Sequence, residues 1–578
     1  MNRPQMVLLA DPVTQHDESS RPGATAAARA HWSLYILVAA VTTAVLLYTV
    51  VEQIYDTNFY VLWEATALLA GDHPYRDFYQ MGWPLLTVIS TGVQWLVGYR
   101  LIGEFLIHWT FIVASVVLGF HLALRLSRSV AASLTTTVLA IVIIASTPTF
   151  QFPKLFFYPV AVLVAWWYME RPGVRRGAIV GLVTAVAFLY RHDHGVYIGL
   201  ASVLAFVLAR VAVPASRRWR AVVADAAAYG FAAGIVVAPW ALLVQQNEGL
   251  LDYVRTRAEW GRTWAPGRFP YLALTDLNPA RVVASFPSQE SGFHWLLQIT
   301  LLLPILMLVS LGFDAAERRR RKQLVSLEIC QTVLAAVLAM IVASRLFRED
   351  SYFVAVLPLS TAFGAALLAG PRRTLAAGWR VVRGALAIGT LVMTGIAAIS
   401  CLKPDLFAAG EVEELGSTFR QLVASPPIDA YQPPDTALHL EGGAWNTTDR
   451  DEKIRILIRY MHDCTQDGDR LFVTGSTPYQ VGYYTGRPIA GGQVQWHHGW
   501  RSDPVHEQQS LALLERQSVP FAFSTHDPVL EDLKGYPHIR EYMLANYVEL
   551  DGSDGLLLVD ARRKPSGTFG LLGFPCFR

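Results

Sequence analysis

Charge is scarce in this sequence. Only 16% of its 578 residues are Asp, Glu, Lys or Arg, where soluble proteins carry about a quarter. The shortfall excludes an ordinary soluble globular chain and points to a protein with most of its mass in lipid. A net formal charge of +2 gives no basic excess of the kind that binds nucleic acid, so no such partner is expected. Four cysteines are too few for a disulfide framework. Cys464 and Cys576 fall in a polar tail and can pair only if that tail is outside the cell. Residues 1–30 lack the apolar core of a signal peptide and read as a disordered cytoplasmic tail. No internal repeat is present, which removes support for an inverted-repeat transporter.

What is present is a rhythm of apolar stretches and basic clusters. Stretches near the ~20-residue spanning length begin at about His31, Leu101, Ser129, Pro153, Val174, Gly195, Ala221, Phe293, Leu324, Tyr352 and Val381. Basic clusters occupy every second gap: Arg125/Arg128, Arg171/Arg175/Arg176, Arg217/Arg218/Arg220, Arg318 to Lys322, and Arg372/Arg373/Arg380. Short basic loops stay on the cytoplasmic side. The sequence thus predicts about 11 spans over residues 31–400, with residues 401–578 outside. The stretch Pro84 to Val97 is short for a span. It is expected to lie at the outer interface, anchored by Trp83 and Trp95.

The tail has a different pattern. Asp469 to Thr474, Val519 to Ser524 and Gly555 to Val559 read as strands, and Glu507 to Gln517 and Glu531 to Asn546 as helices. The expected architecture is an all-α multi-span membrane module with juxtamembrane helices in its outer loops, followed by a small α/β domain.

The outward gaps hold most of the residues able to do chemistry at the membrane edge. Asp56 follows the first stretch and precedes a helix with an aromatic face. A carboxylate partly desolvated there becomes a better base; it also suits a helix N-cap. Asp72 and Asp77 lie in a turn-rich stretch, and turn chemistry accounts for Asp72. Arg191-His192-Asp193-His194 sits between two stretches. Arg191 suits a lipid-linked phosphate, whereas the spacing of His192 and His194 is that of a metal pair without further ligands. A solvated loop is the plain alternative. The following outer loop carries Arg255, Arg257, Arg262, Arg268 and Arg281, with Trp260 and Trp264 flanking Arg262. Pairing with Asp252 and Glu259 explains most of these equally well. Arg345, Arg348 and Tyr352 occupy the next outer gap. Asp467-Gly468-Asp469 spells D-x-D, but it precedes a strand without a phosphate loop and reads as a turn.

The order "span, Asp56, helix with a Tyr, LLAGDHPYRDF, Pro-led apolar helix" resembles the first outer loop of GT-C glycosyltransferases. That superfamily includes the protein mannosyltransferases and the lipid A aminoarabinose transferase. Thr57 stands where Glu is common in the family, and Gly82-Trp83-Pro84 where Lys-Pro-Pro is common. The run Arg348 to Tyr352 with Leu357-Pro358 is similar to the family's late outer loop, and Phe472 to Gly475 with Tyr483 to Arg487 to the start of its outer domain.

The resemblance implies a transferase in a bacterial-type inner membrane, with its active face and C-terminal domain outside the cytoplasm. A sugar on a polyprenyl phosphate is the implied donor, and a hydroxyl of a glycan, lipid or protein the acceptor. It implies Asp56 as the base, with inversion at the sugar. Arg191, Arg262, Arg345, Arg348 and Tyr352 are the expected donor-phosphate residues, and Asp77, His192, Asp193 and His194 secondary candidates. No metal or other cofactor is expected. The alternatives are a lipid or sugar transporter, which calls for broken helices and mid-membrane polar groups, and a glycan ligase.

Overall fold

The computed structural model describes residues 32–45, 59–80, 82–146, 154–212, 219–264, 289–320, 326–346, 356–369, 377–401, 450–475, 478–494, 501–524, 527–570 and 573–578, with isolated positions between. A described helix starts within about five residues of every apolar stretch expected to span. These helices are α1 (Trp32–Val45), α4 (Ile102–Ser127), α5 (Val130–Ser146), α6 (Lys154–Glu170), α7 (Val174–Tyr190), α8 (His192–Ala212), α9 (Trp219–Asn247), α11 (Gln289–Arg320), α12 (Leu327–Leu346), α13 (Leu357–Leu368) and α14 (Ala377–Cys401). Between them lie three further helices, α2 (Phe59–Leu69), α3 (Pro84–Val97) and α10 (Leu250–Trp264).

Among the described residues, 3 helices are long and apolar enough to cross a membrane alone: Ile102–Ser127, His192–Val211 and Trp219–Asn247. Helix α7, bounded at both ends by described residues, has 17 residues and rises roughly 25 Å, less than the ~30 Å hydrocarbon core; α11, α12 and α14 are longer, at 32, 20 and 25 residues.

Alternation of the gaps is visible in the packing. At one end of the bundle Arg125 meets Glu170, Arg128 meets Glu328, and Arg176 donates to the Trp167 carbonyl. At the other end His192 reaches Tyr253 of α10, and Arg257 reaches Gln80. The 26-residue α4 connects the two, a rise of roughly 39 Å. Close packing of α7 on α9 joins the first half of each helix. A Cβ on Gly181 would lie 2.2 Å from the Tyr229 carbonyl oxygen, so only glycine permits this approach.

Helix α3 is turned inside out. Pro84 occupies its first turn, and Gly98 ends it in the left-handed region at φ 75°. Its buried residues include Thr87, Ser90 and Gln94, whereas Val88, Trp95 and Leu96 are exposed. A polar stripe facing protein and an apolar face turned outward suit a helix bathed in lipid. Trp95 matches the expected anchor at 73% exposure, but Trp83 does not. It is buried, edge-on to Tyr60 with ring centroids 6.1 Å apart, because Pro84 turns the chain inward there.

The C-terminal part begins with α15 (Arg450–Asp463). Its four-stranded sheet has the order β1-β2-β4-β3, from β1 (Leu471–Thr474), β2 (Phe521–Ser524), β3 (Tyr547–Glu549) and β4 (Leu557–Asp560). Strand β1 pairs parallel to β2, and the other pairings are antiparallel. A hairpin of β5 (Gly567–Phe569) and β6 (Phe574–Cys576) lies beside it. Cys464 and Cys576 form a disulfide, which fastens this hairpin to α15. The strands read from sequence as 469–474, 519–524 and 555–559 are β1, β2 and β4. The helix expected over 531–546 is instead broken: a short helix Val529–Asp532 and a 3₁₀ turn Leu533–Gly535 precede Pro537–Asn546. Pro537 starts the last piece because it cannot continue a helix from before it. Of the D-x-D residues, Asp467 pairs with Arg487 and Asp469 with Arg563, both structural contacts within this domain.

Candidate active site

The segment between α2 and α3 is built on one buried carboxylate. Glu64 lies on α2 with no exposed surface. It accepts from Gln80 Nε2 at 3.1 Å and from the Thr87 hydroxyl. Gln80 then arranges the turn. Its Oε1 accepts from the Gly82 N–H at 2.9 Å and the Tyr75 hydroxyl at 3.2 Å. Trp240 Nε1 donates to Tyr75 at 2.8 Å, bringing in α9. A buried charge without hydrogen bonds is costly; here each bond also fixes a loop residue.

Over this turn lies Arg257. Tyr253 and Arg257 are four residues apart on α10, so they share a face. The guanidinium donates to the Gln80 carbonyl and lies 4.9 Å from the Tyr79 ring centroid and 5.1 Å from that of Tyr253. Gly82 makes the approach possible. Its φ is 103°, and a Cβ there would lie 3.1 Å from an Arg257 nitrogen. Arg501, from the C-terminal domain, lies 4.2 Å from the Tyr79 centroid and pairs with Glu248 at 2.6 Å. Burial pushes the hydroxyls of Tyr75, Tyr79 and Tyr253 up, so at neutral pH they stay protonated and can donate.

The C-terminal domain closes this region. Arg470, beside β1, grips Asp72 with both terminal nitrogens. The Tyr79 N–H donates to the Gly492 carbonyl at 2.8 Å. The helix Pro478–Thr485 packs on α2, with Tyr483 5.6 Å and Tyr484 5.4 Å from Phe59 between ring centroids. Between loop and domain is a cavity of about 290 Å³, lined by Tyr75, Tyr79, Glu248, Arg501, Gln509 and their neighbours.

The structure distributes the expected site residues unevenly. Asp56, Arg348 and Tyr352 lie outside the described residues. Arg262 and Arg345 fall on α10 and α12, but their side chains lie outside the described set. Arg191 ends α7 and pairs with Asp193 at 2.9 Å. His192 and His194 face different neighbours. His192 Nδ1 donates to the Phe188 carbonyl (2.9 Å), which leaves Nε2 to accept from the Tyr253 hydroxyl (2.8 Å), whereas His194 meets the Tyr158 hydroxyl. Asp77 is held at the surface by Arg76 and by the His73 N–H at 2.9 Å. Among the described residues, no group of three His, Cys, Asp or Glu is arranged to hold a metal.

Among the described candidates, His192 joins the Arg257 cluster through its hydrogen bond to Tyr253. Glu64, Gln80, Tyr253 and Arg501 escaped the sequence reading, and Arg257 was one arginine among five. Two signals point to them: a lone carboxylate in the apolar run FYVLWEATALL, and the four-residue spacing of Tyr253 and Arg257.

The chain is similar in fold to ArnT. The structure of ArnT from Cupriavidus metallidurans bound to undecaprenyl phosphate matches with 12% identity and a TM-score of 0.48, over 92% of this chain and 99% of that one. The apo form matches with 13% identity and a TM-score of 0.43, over 92% and 98%. No family model and no curated protein matches the chain.

The Gly82 contact gives a direct test of the cluster. Alanine there meets both the positive φ and the Arg257 guanidinium, a strain of about 1–3 kcal/mol. Gly82→Ala is expected to leave the fold intact and displace Arg257. In an assay of the activity proposed below, donor KM should rise roughly tenfold, since 1.4 kcal/mol is a factor of ten. An unchanged KM would separate Arg257 from donor binding.

Proposed function

We propose that this chain is an integral membrane glycosyltransferase. It moves a sugar from a polyprenyl phosphate to an acceptor hydroxyl on the outer face. One observation carries this reading: the loop that follows Asp56 is assembled with the half-buried Arg257 and Arg501 and the buried Tyr79 into a cationic and aromatic cluster, at the end of the bundle away from the basic clusters. The GT-C-like order of residues in that same loop supports it.

In this mechanism Asp56 takes the proton from the acceptor hydroxyl as its oxygen attacks the anomeric carbon. The bond from that carbon to the phosphate oxygen breaks, and polyprenyl phosphate leaves with the electron pair. A single displacement inverts the sugar. Guanidinium groups stabilise the charge gathering on the phosphate. Arg257 joins Arg191, Arg262, Arg345, Arg348 and Tyr352 as candidates for that role. A phosphate leaving group needs little protonation, so one carboxylate suffices and no metal enters the scheme. The cavity beside Arg501 is the proposed acceptor entrance, where Tyr, Asn and Gln side chains offer hydrogen bonds to hydroxyls.

The test uses the full chain in proteoliposomes with a panel of radiolabelled polyprenyl-phosphate sugars and a cell-envelope extract as acceptor. Label should pass to acceptor material as polyprenyl phosphate is released. Intact labelled donor crossing the bilayer without cleavage would overturn the proposal in favour of a transporter.

A further inference from the structure

The basic end of the bundle contains a second, larger cavity, of about 550 Å³. Its walls are the ends of α4 and α6, the second half of α11 and the start of α12. Three guanidinium groups line it, from Arg125, Arg128 and Arg318, and three carboxylates, from Glu170, Asp314 and Glu328. Its floor is fixed: Trp166 Nε1 donates to the Gln331 carbonyl at 2.7 Å, and Gln331 Nε2 returns a bond to the Trp166 carbonyl at 3.3 Å. The proposed transfer chemistry lies at the far end of α4 and leaves this cavity without a role.

Its chemistry discriminates among ligands. The lining charges cancel, so an anion meets three carboxylates and a cation meets three guanidinium groups. A molecule with both signs satisfies both sets. The pairs already present, Arg125 with Glu170 and Arg128 with Glu328, are a third to two-thirds exposed. Pairs of that kind contribute about 0–1 kcal/mol, so a ligand separates them cheaply. The volume falls in the range of small-molecule sites, roughly 300–1,000 Å³. The helices also end here, at head-group depth. Beside the cavity, Ile305, Val309 and Phe313 are exposed along α11 at helical spacing, a track for an acyl chain.

We propose that this cavity binds the head group of an amine-bearing zwitterionic phospholipid, its phosphate toward the guanidinium groups and its ammonium toward the carboxylates. A primary ammonium donates hydrogen bonds to carboxylates, which a quaternary one does not.

The experiment takes the full-length protein in detergent and titrates phosphatidylethanolamine, phosphatidylcholine and phosphatidylglycerol of equal chain length. Bound lipid is read by native mass spectrometry and by thermal unfolding. The parent should bind phosphatidylethanolamine at least about tenfold more tightly than either other lipid, equivalent to ~1.4 kcal/mol. Glu170→Gln with Glu328→Gln removes two carboxylates and should reverse the preference toward phosphatidylglycerol. Should that pair fail to fold, Glu328→Gln alone should at least halve the preference. Competition by soluble phosphoethanolamine at matching concentration would support the site and assign it to the free molecule. Equal binding of all three lipids by the parent, a parental preference for phosphatidylglycerol, or a preference unmoved by the substitutions would each overturn the proposal.

Discussion

Asp56→Asn should abolish sugar transfer while leaving donor binding nearly unchanged. The amide keeps the size of the carboxylate and its ability to cap a helix but cannot accept the acceptor's proton. General bases contribute roughly a hundred- to ten-thousand-fold, so kcat should fall within that range and donor KM by less than about threefold. A merely structural Asp56 predicts a different result, with stability falling and kcat retained in the folded fraction. Asp77 is the other carboxylate in the same loop, and it is poorly placed to substitute. Burial alone would raise its pKa, but Arg76 and the His73 N–H hold it below the usual carboxylate range, which weakens it as a base. Full activity in Asp56→Asn would therefore move the search to the other outer gaps, beginning with Asp193.

The second large effect is expected at the joint between membrane module and tail. Arg470→Ala removes both nitrogens that hold Asp72, at 2.8 Å for the longer contact. The Asp72 side chain is 7% exposed, so the substitution leaves a nearly buried carboxylate without its cation. Losses of this kind cost about 3–5 kcal/mol. Unfolding of the C-terminal domain in detergent should begin at lower temperature, and limited proteolysis should cut between the domain and the last membrane helix. Asp72→Asn in the same background should restore part of the loss, because the buried charge is then gone. If Arg470→Ala and the parent unfold alike, the contact holds geometry only and the domain is fastened by the Phe59–Tyr483 packing.

Much of the architecture follows from local pattern. Basic residues in alternate gaps sort helix ends into two groups, and the structure gathers Arg125, Arg128 and Arg318 around one cavity. Strands β1, β2 and β4 are short buried runs bounded by turns, a signal contained in a few consecutive residues. The site is harder to read because its contacts are distant in sequence. Asp72 looks like a turn residue, and it is one, yet its partner is 398 positions away. Glu64 looks like a lone charge in an apolar helix until Gln80 and Thr87 fold over it. Trp83 has the composition of an interfacial anchor, but Pro84 directs it inward. Arg257 is one of five similar loop arginines, and beyond its four-residue spacing from Tyr253 it is the bend at Gly82 that singles it out. The disulfide between Cys464 and Cys576 required knowing that a terminal hairpin returns to α15.

Three groups that complete the outer cluster, Arg470, Gly492 and Arg501, are made late in synthesis. The loop they clasp emerges among the first hundred residues. A nascent chain therefore carries its Glu64 network through the insertion of every later membrane helix with one wall missing. The cluster closes only when the tail has folded against α2. Docking of the tail is thus the step that completes this cluster, after every membrane helix has been made.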